Sequence, residues 1–180
     1  MWEIARLARQ IEGIGFHCTG CMRCCTAEQK HVGFVMVSPP EVARIIARTS
    51  SLWDQIAVPY PEFIESSGGV RLTFSWCLRC NGKQCSLLSE GKCSVYSDRP
   101  WICRTYPFML EGDTLQVSAC EGIGQTVSSE DARVLARDLI ERRRAESVEE
   151  ESLRQVLAAL PALEKGAYVI DSRGVTHCEF

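Results

Sequence analysis

The chain has 180 residues, of which 46% are hydrophobic, enough for one domain with an ordinary apolar core. Its 20 basic and 23 acidic residues give a formal net charge of -3 without a basic block, so nucleic acid is not an expected partner. No apolar stretch approaches the roughly 18 residues of a membrane-spanning helix, and charges interrupt the N-terminal region where a signal peptide would be apolar. We therefore expect a cytoplasmic protein with no membrane partner.

The first fifty residues predict two helices on either side of a cysteine group. Apolar residues at helical spacing predict an amphipathic helix over residues 2–12, with Gly13 as its C-terminal cap. Residues 16–28 carry four cysteines and predict loop or short helical turns. A second helix is predicted from Ser38 to about residue 48, because serine suits the N-cap and Glu41 stands at the third helical position.

The middle of the chain predicts short strands. Residues 31–37 are β-rich, whereas residues 51–66 are ambiguous because two prolines limit any helix there. Alternating apolar and polar residues predict a strand over residues 70–76. The runs 107–110 and 115–119 flank a turn sequence and predict a β-hairpin.

The C-terminal third predicts two helices and a hairpin. A capping-box pattern formed by Ser128 and Asp131 opens a long helix to about residue 145. A further helix is predicted over residues 148–160, and a terminal hairpin is predicted around the turn at residues 172–174.

These elements predict the α+β class. We expect a small single domain over residues 1–180, in which helices flank short antiparallel strands and metal clamps the cysteine-rich loops. The metal-binding core is predicted over about residues 14–126, and a helical and β-hairpin extension over about residues 127–180.

Cysteine is the most informative residue type in this chain. Such density in a reducing cytosol indicates metal ligation or thiol chemistry and not disulfides. Only three histidines are present, so any metal site is rich in sulfur; His17 is the best non-cysteine candidate ligand. The eleven cysteines stand at positions 18, 21, 24, 25, 77, 80, 85, 93, 103, 120 and 178.

The first cysteine group has the spacing Cys18-x-x-Cys21-x-x-Cys24-Cys25. Two-residue spacers let thiolates converge on one metal centre, and the first three positions are similar to the start of a bacterial ferredoxin run. Adjacent residues usually point in different directions, so one division gives Cys18, Cys21 and Cys24 to one centre and Cys25 to a second. The alternative is that these are buried thiols without a ligand.

The second group runs from Cys77 to Cys120. The Cys77–Cys80 pair taken alone is a weak signal, because such pairs occur in zinc ribbons and in redox motifs. Clustered thiolates need compensating positive charge, and Arg99 and Arg104 are candidates to donate hydrogen bonds around a bound cofactor. The alternative for these two arginines is a solvated surface role.

Together these segments resemble the zinc- or iron-chelating cysteine-cluster family, often called YkgJ-like or CxxCxxCC proteins. The resemblance covers residues 16–124. The matching segments are Cys18-x-x-Cys21-x-x-Cys24-Cys25, then Cys85, then Gly91-Lys92-Cys93-x-x-Tyr96-x-x-Arg99-Pro100-x-x-Cys103-Arg104-x-Tyr106-Pro107-Phe108, and then Cys120-Glu121-Gly122-Ile123-Gly124.

The resemblance implies that eight cysteines are metal ligands, enough for two four-ligand centres, and that Cys77, Cys80 and Cys178 are extra. The ferredoxin-like spacing and the all-sulfur ligand set favour one or two iron–sulfur clusters, of the 4Fe–4S type, with zinc as the alternative. The family also includes the flagellin lysine N-methylases, so the resemblance implies an iron–sulfur cluster that takes part in methyl transfer. The eight implied ligands are Cys18, Cys21, Cys24, Cys25, Cys85, Cys93, Cys103 and Cys120.

Three functions follow as alternatives. The first is an iron–sulfur protein with a redox, electron-transfer or methyl-transfer-assisting role, and hence a redox partner or another protein partner. The second is a structural zinc-binding interaction module without catalytic activity, because zinc also accepts four thiolates. The third is a metal carrier or store. The sequence contains no independent catalytic motif, so whether the protein is an enzyme stays open.

Overall fold

The computed structural model describes residues 2–26 and 35–178 of the chain. In this part of the chain the α-helices are α1 (Trp2–Ile14), α2 (Pro39–Thr49), α3 (Trp53–Ile56), α4 (Trp101–Thr105) and α5 (Ser129–Ala158). The strands are β1 (Met36–Val37), β2 (Ala57–Pro59), β3 (Ile64–Glu65), β4 (Val70–Thr73), β5 (Trp76–Leu78), β6 (Cys80–Asn81), β7 (Gln84–Cys85), β8 (Leu88–Ser89), β9 (Lys92–Cys93), β10 (Phe108–Glu111), β11 (Thr114–Val117), β12 (Gly166–Asp171) and β13 (Gly174–Cys178).

The chain divides into two compact units, each assembled from segments that are distant in the sequence. The first unit comprises Met1–Met22 and Trp101–Glu146, and the second comprises Arg23–Pro100 and Ser147–Phe180. These units do not follow the predicted division at residue 126. The prediction of one domain over residues 1–180 stays a prediction.

The first unit is built on helical packing. Leu7 and Ile11 of α1 are fully buried at helical spacing, as the amphipathic pattern predicts, and they join a core that includes Phe108 of β10 and Leu139 of α5. Helix α1 extends to Ile14, so the predicted cap Gly13 lies inside it. The capping residue is Gly15, whose φ of 75° suits glycine and whose N–H donates to the Ile11 carbonyl at 2.8 Å.

Besides the two-stranded hairpins β6–β7 and β8–β9, the second unit contains two larger sheets. One has the strand order β13-β12-β4-β3, with β12 and β4 parallel, and the other has the order β1-β5-β2 and is antiparallel. Buried Trp76 of β5 donates from Nε1 to Oδ2 of Asp171 on β12 at 2.7 Å, so a buried polar pair connects the two sheets. Arg173 also binds this carboxylate, at 2.8 Å.

Helix α2 of the second unit begins as its capping signal predicts. The Ser38 N–H and hydroxyl both donate to the Glu41 carboxylate, at 2.8 and 2.7 Å. Val42 and Ile45 of this helix are fully buried. The helix ends at Thr49, and Ser50 takes the left-handed conformation.

Three predicted elements, one strand and two helices, are corrected. The single strand predicted over residues 70–76 is two strands, β4 and β5, which belong to different sheets. The two helices predicted over residues 128–145 and 148–160 are the single helix α5. Neither Gly nor Pro stands between them, and Arg142 and Glu146 pair at 2.7 Å as the helix continues.

The structure confirms both predicted hairpins and the predicted fold class. The hairpin β10–β11 confirms the strands predicted around residues 111–113, and β12–β13 confirms the terminal hairpin. Of the β-rich run at residues 31–37, residues 31–34 lie outside the described residues, and β1 is a two-residue strand. Helices with several short antiparallel strand pairs confirm the α+β class. None of the described helices combines the length and apolarity needed to cross a bilayer.

Candidate metal centre

The motif Cys18-x-x-Cys21-x-x-Cys24-Cys25 is divided between the two units. Cys18 and Cys21 belong to the first unit, whereas Cys24 and Cys25 belong to the second. Cys24 and Cys25 lie on a 3-10 turn, and their Sγ atoms are 3.9 Å apart. The expectation that these neighbours point in different directions is therefore wrong for this turn.

Two tight hairpins present cysteines in the second unit. In β6–β7, Cys80 is opposite Cys85, and in β8–β9, Leu88 is opposite Cys93. Each hairpin closes through a two-residue turn, which needs a positive φ at Gly82 in the first and at Glu90 and Gly91 in the second. The hairpins fix the positions of Cys85 and Cys93 through the backbone.

An isolated β-bridge connects the 3-10 turn to the first hairpin. Thr26 and Gln84 form an antiparallel bridge. In an antiparallel register the residue before Thr26 corresponds to the residue after Gln84, so Cys25 corresponds to Cys85. This pairing joins segments about sixty residues apart in the chain and brings the second half of the cysteine motif to the hairpins.

The thiols of the second unit influence one another electrostatically. Burial raises the pKa of Cys85 to about 11, and the nearby Cys80, Cys93 and Cys24 thiols add to that increase. A hydrogen bond with the Cys25 thiol lowers the pKa of Cys24 to about 6 against the effect of burial, and the positive charge of Arg99 also lowers it. Cys24, Cys80, Cys85 and Cys93 thus share one electrostatic environment.

The three extra cysteines differ in their surroundings, and one of them, Cys80, lies beside the family-type Cys85. Cys77 of β5 is fully buried, and burial raises the pKa of its thiol to about 12, so it is a core residue. Burial also raises the pKa of Cys80, which lies across the hairpin from Cys85. Cys178 ends β13 and is half-buried, and burial raises its pKa too.

In the first unit, backbone pairing brings the Cys18 and Cys120 segments together. Phe16 and Ile123 form an antiparallel bridge, the His17 N–H donates to the Gly122 carbonyl at 3.0 Å, and the Gly124 N–H donates to the Gly15 carbonyl at 3.0 Å. A Cβ atom on Gly122 would lie 2.1 Å from the His17 carbonyl oxygen. The close approach of the two segments therefore requires glycine at position 122.

Cys103 is connected to the same region through α4. Cys103 lies on α4. Tyr106, the first residue after this helix, donates its hydroxyl hydrogen to the Ala119 carbonyl. The Ser118 N–H donates to the Pro107 carbonyl at 2.8 Å. These bonds hold the residues before Cys120 against the end of α4.

The two arginines predicted to bind a cofactor belong to different units: Arg99 to the second and Arg104 to the first. The guanidinium of Arg99 lies 3.6 Å from the Tyr96 ring centroid in the second unit, and its charge acts on Cys24. The guanidinium of Arg104 lies 5.1 Å from the Trp101 ring centroid in the first unit. The side chain of His17 is exposed. The cofactor role of both arginines stays a prediction.

The donor set fits zinc or an iron–sulfur cluster. Each unit holds four of the eight family-type cysteines, and four thiolates suit a tetrahedral zinc ion or a cluster. In residues 2–26 and 35–178, no three His, Cys, Asp or Glu side chains are already gathered at metal-binding distances. Binding would therefore draw the thiolates closer, as expected where metal binding is coupled to folding.

The sequence did not reveal the features that position the thiols. Gly122 was part of the family pattern, yet nothing in the pattern indicated its contact with His17. The Thr26–Gln84 bridge and the position of Cys80 opposite Cys85 were also missed. The glycine-containing two-residue spacers at residues 82–83 and 90–91 were the signals that could have predicted both hairpins.

Comparison with known proteins agrees with this donor set. The family described as "Putative zinc- or iron-chelating domain" matches residues 17–121. A protein of Methanocaldococcus jannaschii, named as uncharacterized, is 27% identical over 103 residues, which are 56% of this chain and 49% of that protein. The chain thus spans about half the length of the curated relative it matches. No solved structure gives a significant match. Since the family match covers more than half of the chain, this protein belongs to the CxxCxxCC family of zinc- or iron-chelating domains.

Proposed function

We propose that this protein holds one or two iron–sulfur clusters through cysteine thiolates and has a redox, electron-transfer or methyl-transfer-assisting role. The observation that carries metal binding is the family match over residues 17–121; the Phe16–Ile123 and Thr26–Gln84 bridges support it, because they pair segments that carry cysteines. The bound group would supply electron transfer or Lewis acidity, and the chain would supply thiolates and hydrogen-bond donors.

The proposed ligands are the eight family-type cysteines. Arg99 and Arg104 would offset the negative charge that several thiolates leave around a bound metal. The proposal places the protein in the reducing cytoplasm with a redox or other protein partner, because reduced thiols are required for binding.

One observation favours the second candidate, a zinc-binding module without catalytic activity. Two thiolates of a regular tetrahedron around zinc, each about 2.3 Å from the ion, are about 3.8 Å apart. The Cys24 and Cys25 sulfurs are 3.9 Å apart. In a four-iron cluster each thiolate binds a different iron atom, so the sulfurs lie further apart. This pair therefore suits a single metal ion.

Anaerobic purification separates the two candidates. An iron–sulfur protein should be brown, absorb broadly in the visible range and release iron and sulfide on acid treatment. A colourless protein with stoichiometric zinc under the same conditions would contradict the iron–sulfur proposal and support the zinc module. A protein that retains neither metal would contradict both.

A cysteine variant tests the ligand assignment. Replacing Cys21 with serine should lower the metal content and the thermal stability together, because binding free energy at such sites contributes to folding. The matched control is Cys178→Ser, which removes a thiol outside the family pattern. Full metal content and unchanged melting in the Cys21→Ser protein would refute the assignment of Cys21.

A further inference from the structure

We infer that the eight family-type cysteines form two separate four-thiolate centres, each contained in one compact unit. This inference rests on the proposed metal-binding function and adds which thiolates bind together. The first centre would comprise Cys18, Cys21, Cys103 and Cys120. The second centre would comprise Cys24, Cys25, Cys85 and Cys93.

The boundary between the units supplies the first argument. It falls between Met22 and Arg23, inside the CxxCxxCC motif, and again between Pro100 and Trp101. These two boundaries divide the eight cysteines four and four. Four is the number of thiolates that one tetrahedral ion or one cluster requires, so neither unit is left with an incomplete or surplus set of family-type ligands.

Geometry within the second unit supplies the next argument. The Cys24 and Cys25 sulfurs already have the separation that two ligands of one tetrahedral ion require. The Thr26–Gln84 bridge brings that turn to the hairpin of Cys85. The second hairpin follows at once in the chain, and the Gln84 side-chain amide donates to the Leu88 carbonyl, opposite Cys93, at 3.4 Å.

The first unit is assembled by a different set of contacts. The antiparallel bridge between Phe16 and Ile123 places the Cys18 segment alongside the Cys120 segment. The bond from Tyr106 to the Ala119 carbonyl holds the α4 region, which carries Cys103, against that segment. These contacts involve only residues of the first unit, so this centre can assemble without ligands from the second.

The division differs from the one expected from spacing alone. The repeated two-residue spacers favour Cys18, Cys21 and Cys24 on one metal, as in a ferredoxin run. In the structure Cys24 instead shares a turn with Cys25 in the other unit. The motif would thus contribute one cysteine pair to each centre.

Zinc titration of the full-length, metal-stripped protein tests the division. Zinc is the probe because it binds any complete four-thiolate set, whichever metal is native. Native mass spectrometry should count two zinc ions per wild-type chain. Cys93→Ser and Cys103→Ser should each keep one zinc ion, the double variant should keep none, and the control Cys178→Ser should keep two.

A protection experiment on wild-type protein covers the case in which a variant fails to fold. Brief alkylation of partly zinc-loaded protein, followed by peptide mass spectrometry, should show protection appearing in two groups of four thiols. Protection of Cys18 should accompany that of Cys103 and Cys120, and protection of Cys24 should accompany that of Cys85.

The outcomes distinguish this inference from the proposed function. A wild-type chain that binds neither zinc nor iron would contradict metal binding itself. A wild-type chain that binds one ion, lost in both single variants, would leave metal binding intact and overturn the two-centre inference. Joint protection of Cys18, Cys21 and Cys24, with Cys25 behaving differently, would overturn it as well.

Discussion

Gly122→Ala tests the backbone pairing that holds the Cys18 and Cys120 segments together. The new Cβ atom would lie 2.1 Å from the His17 carbonyl oxygen and 3.1 Å from Cε2 of Phe16. Because a carbon–oxygen contact normally needs about 3.3 Å, the two segments would have to separate by about 1 Å. The 3.0 Å bond from the His17 N–H to the Gly122 carbonyl would then be lost.

The magnitude follows from two costs. Overpacking of this kind costs about 1 to 3 kcal/mol, and the lost hydrogen bond adds about 1 kcal/mol. We therefore expect the free energy of unfolding to fall by about 2 to 4 kcal/mol, a large share of the roughly 5 to 15 kcal/mol that stabilises a typical protein.

Urea unfolding followed by circular dichroism measures the effect. Gly13→Ala is the matched control, because Gly13 lies in α1 of the same unit and a Cβ there has no atom within 4 Å. That change should leave stability unchanged or raise it by up to about 1 kcal/mol, since alanine favours helix. If Gly122→Ala unfolds at the same urea concentration as the wild type, the pairing of these segments is refuted.

Three further predictions concern the second unit and the metal. Cys85→Ser should lower zinc content, whereas Cys80→Ser on the facing strand of the same hairpin should not, as counted by native mass spectrometry; equal losses would refute the distinction. Asp171→Asn should cost about 1 to 3 kcal/mol at pH 7 by weakening charged hydrogen bonds. Burial acts to raise the pKa of the Asp171 carboxyl group, but the hydrogen bonds from Arg173 and Trp76 outweigh burial and lower this pKa below 3.8. The stabilisation by the Asp171 carboxylate is therefore complete above pH 3.8 and disappears as the pH falls through the lowered pKa. A wild-type advantage that persists in strong acid would contradict this assignment. Removing metal with a chelator should lower the melting temperature, and identical melting curves with and without metal would contradict the coupling of binding to folding.

Local signals in the sequence predicted local structure well. Ser38 and Glu41 determine the start of α2 through bonds within three residues of each other, so their pattern is visible in the sequence. The hairpin β10–β11 forms around a turn whose residues are adjacent. In both cases the stabilising partners are close in the chain, so local sequence preference is sufficient to predict the element.

Long-range contacts explain what the sequence did not predict. The strand expected over residues 70–76 divides in the structure, and the indole of Trp76 binds Asp171, which is 95 residues away. The grouping of cysteines depends likewise on the Phe16–Ile123 and Thr26–Gln84 bridges. Spacing reports which thiols are near in the chain, whereas these bridges decide which are near in space.

The hairpins of the second unit also bear on the entropy of metal capture. A ligand on a flexible loop loses backbone freedom worth about 1 to 2 kcal/mol per residue when metal fixes it. In β6–β7 and β8–β9 the strand pairing and the turns at Gly82 and Gly91 restrict that freedom before metal arrives. Cys85 and Cys93 would therefore act as a preorganised half of the chelate, and fixing these two ligands on binding would cost little backbone entropy.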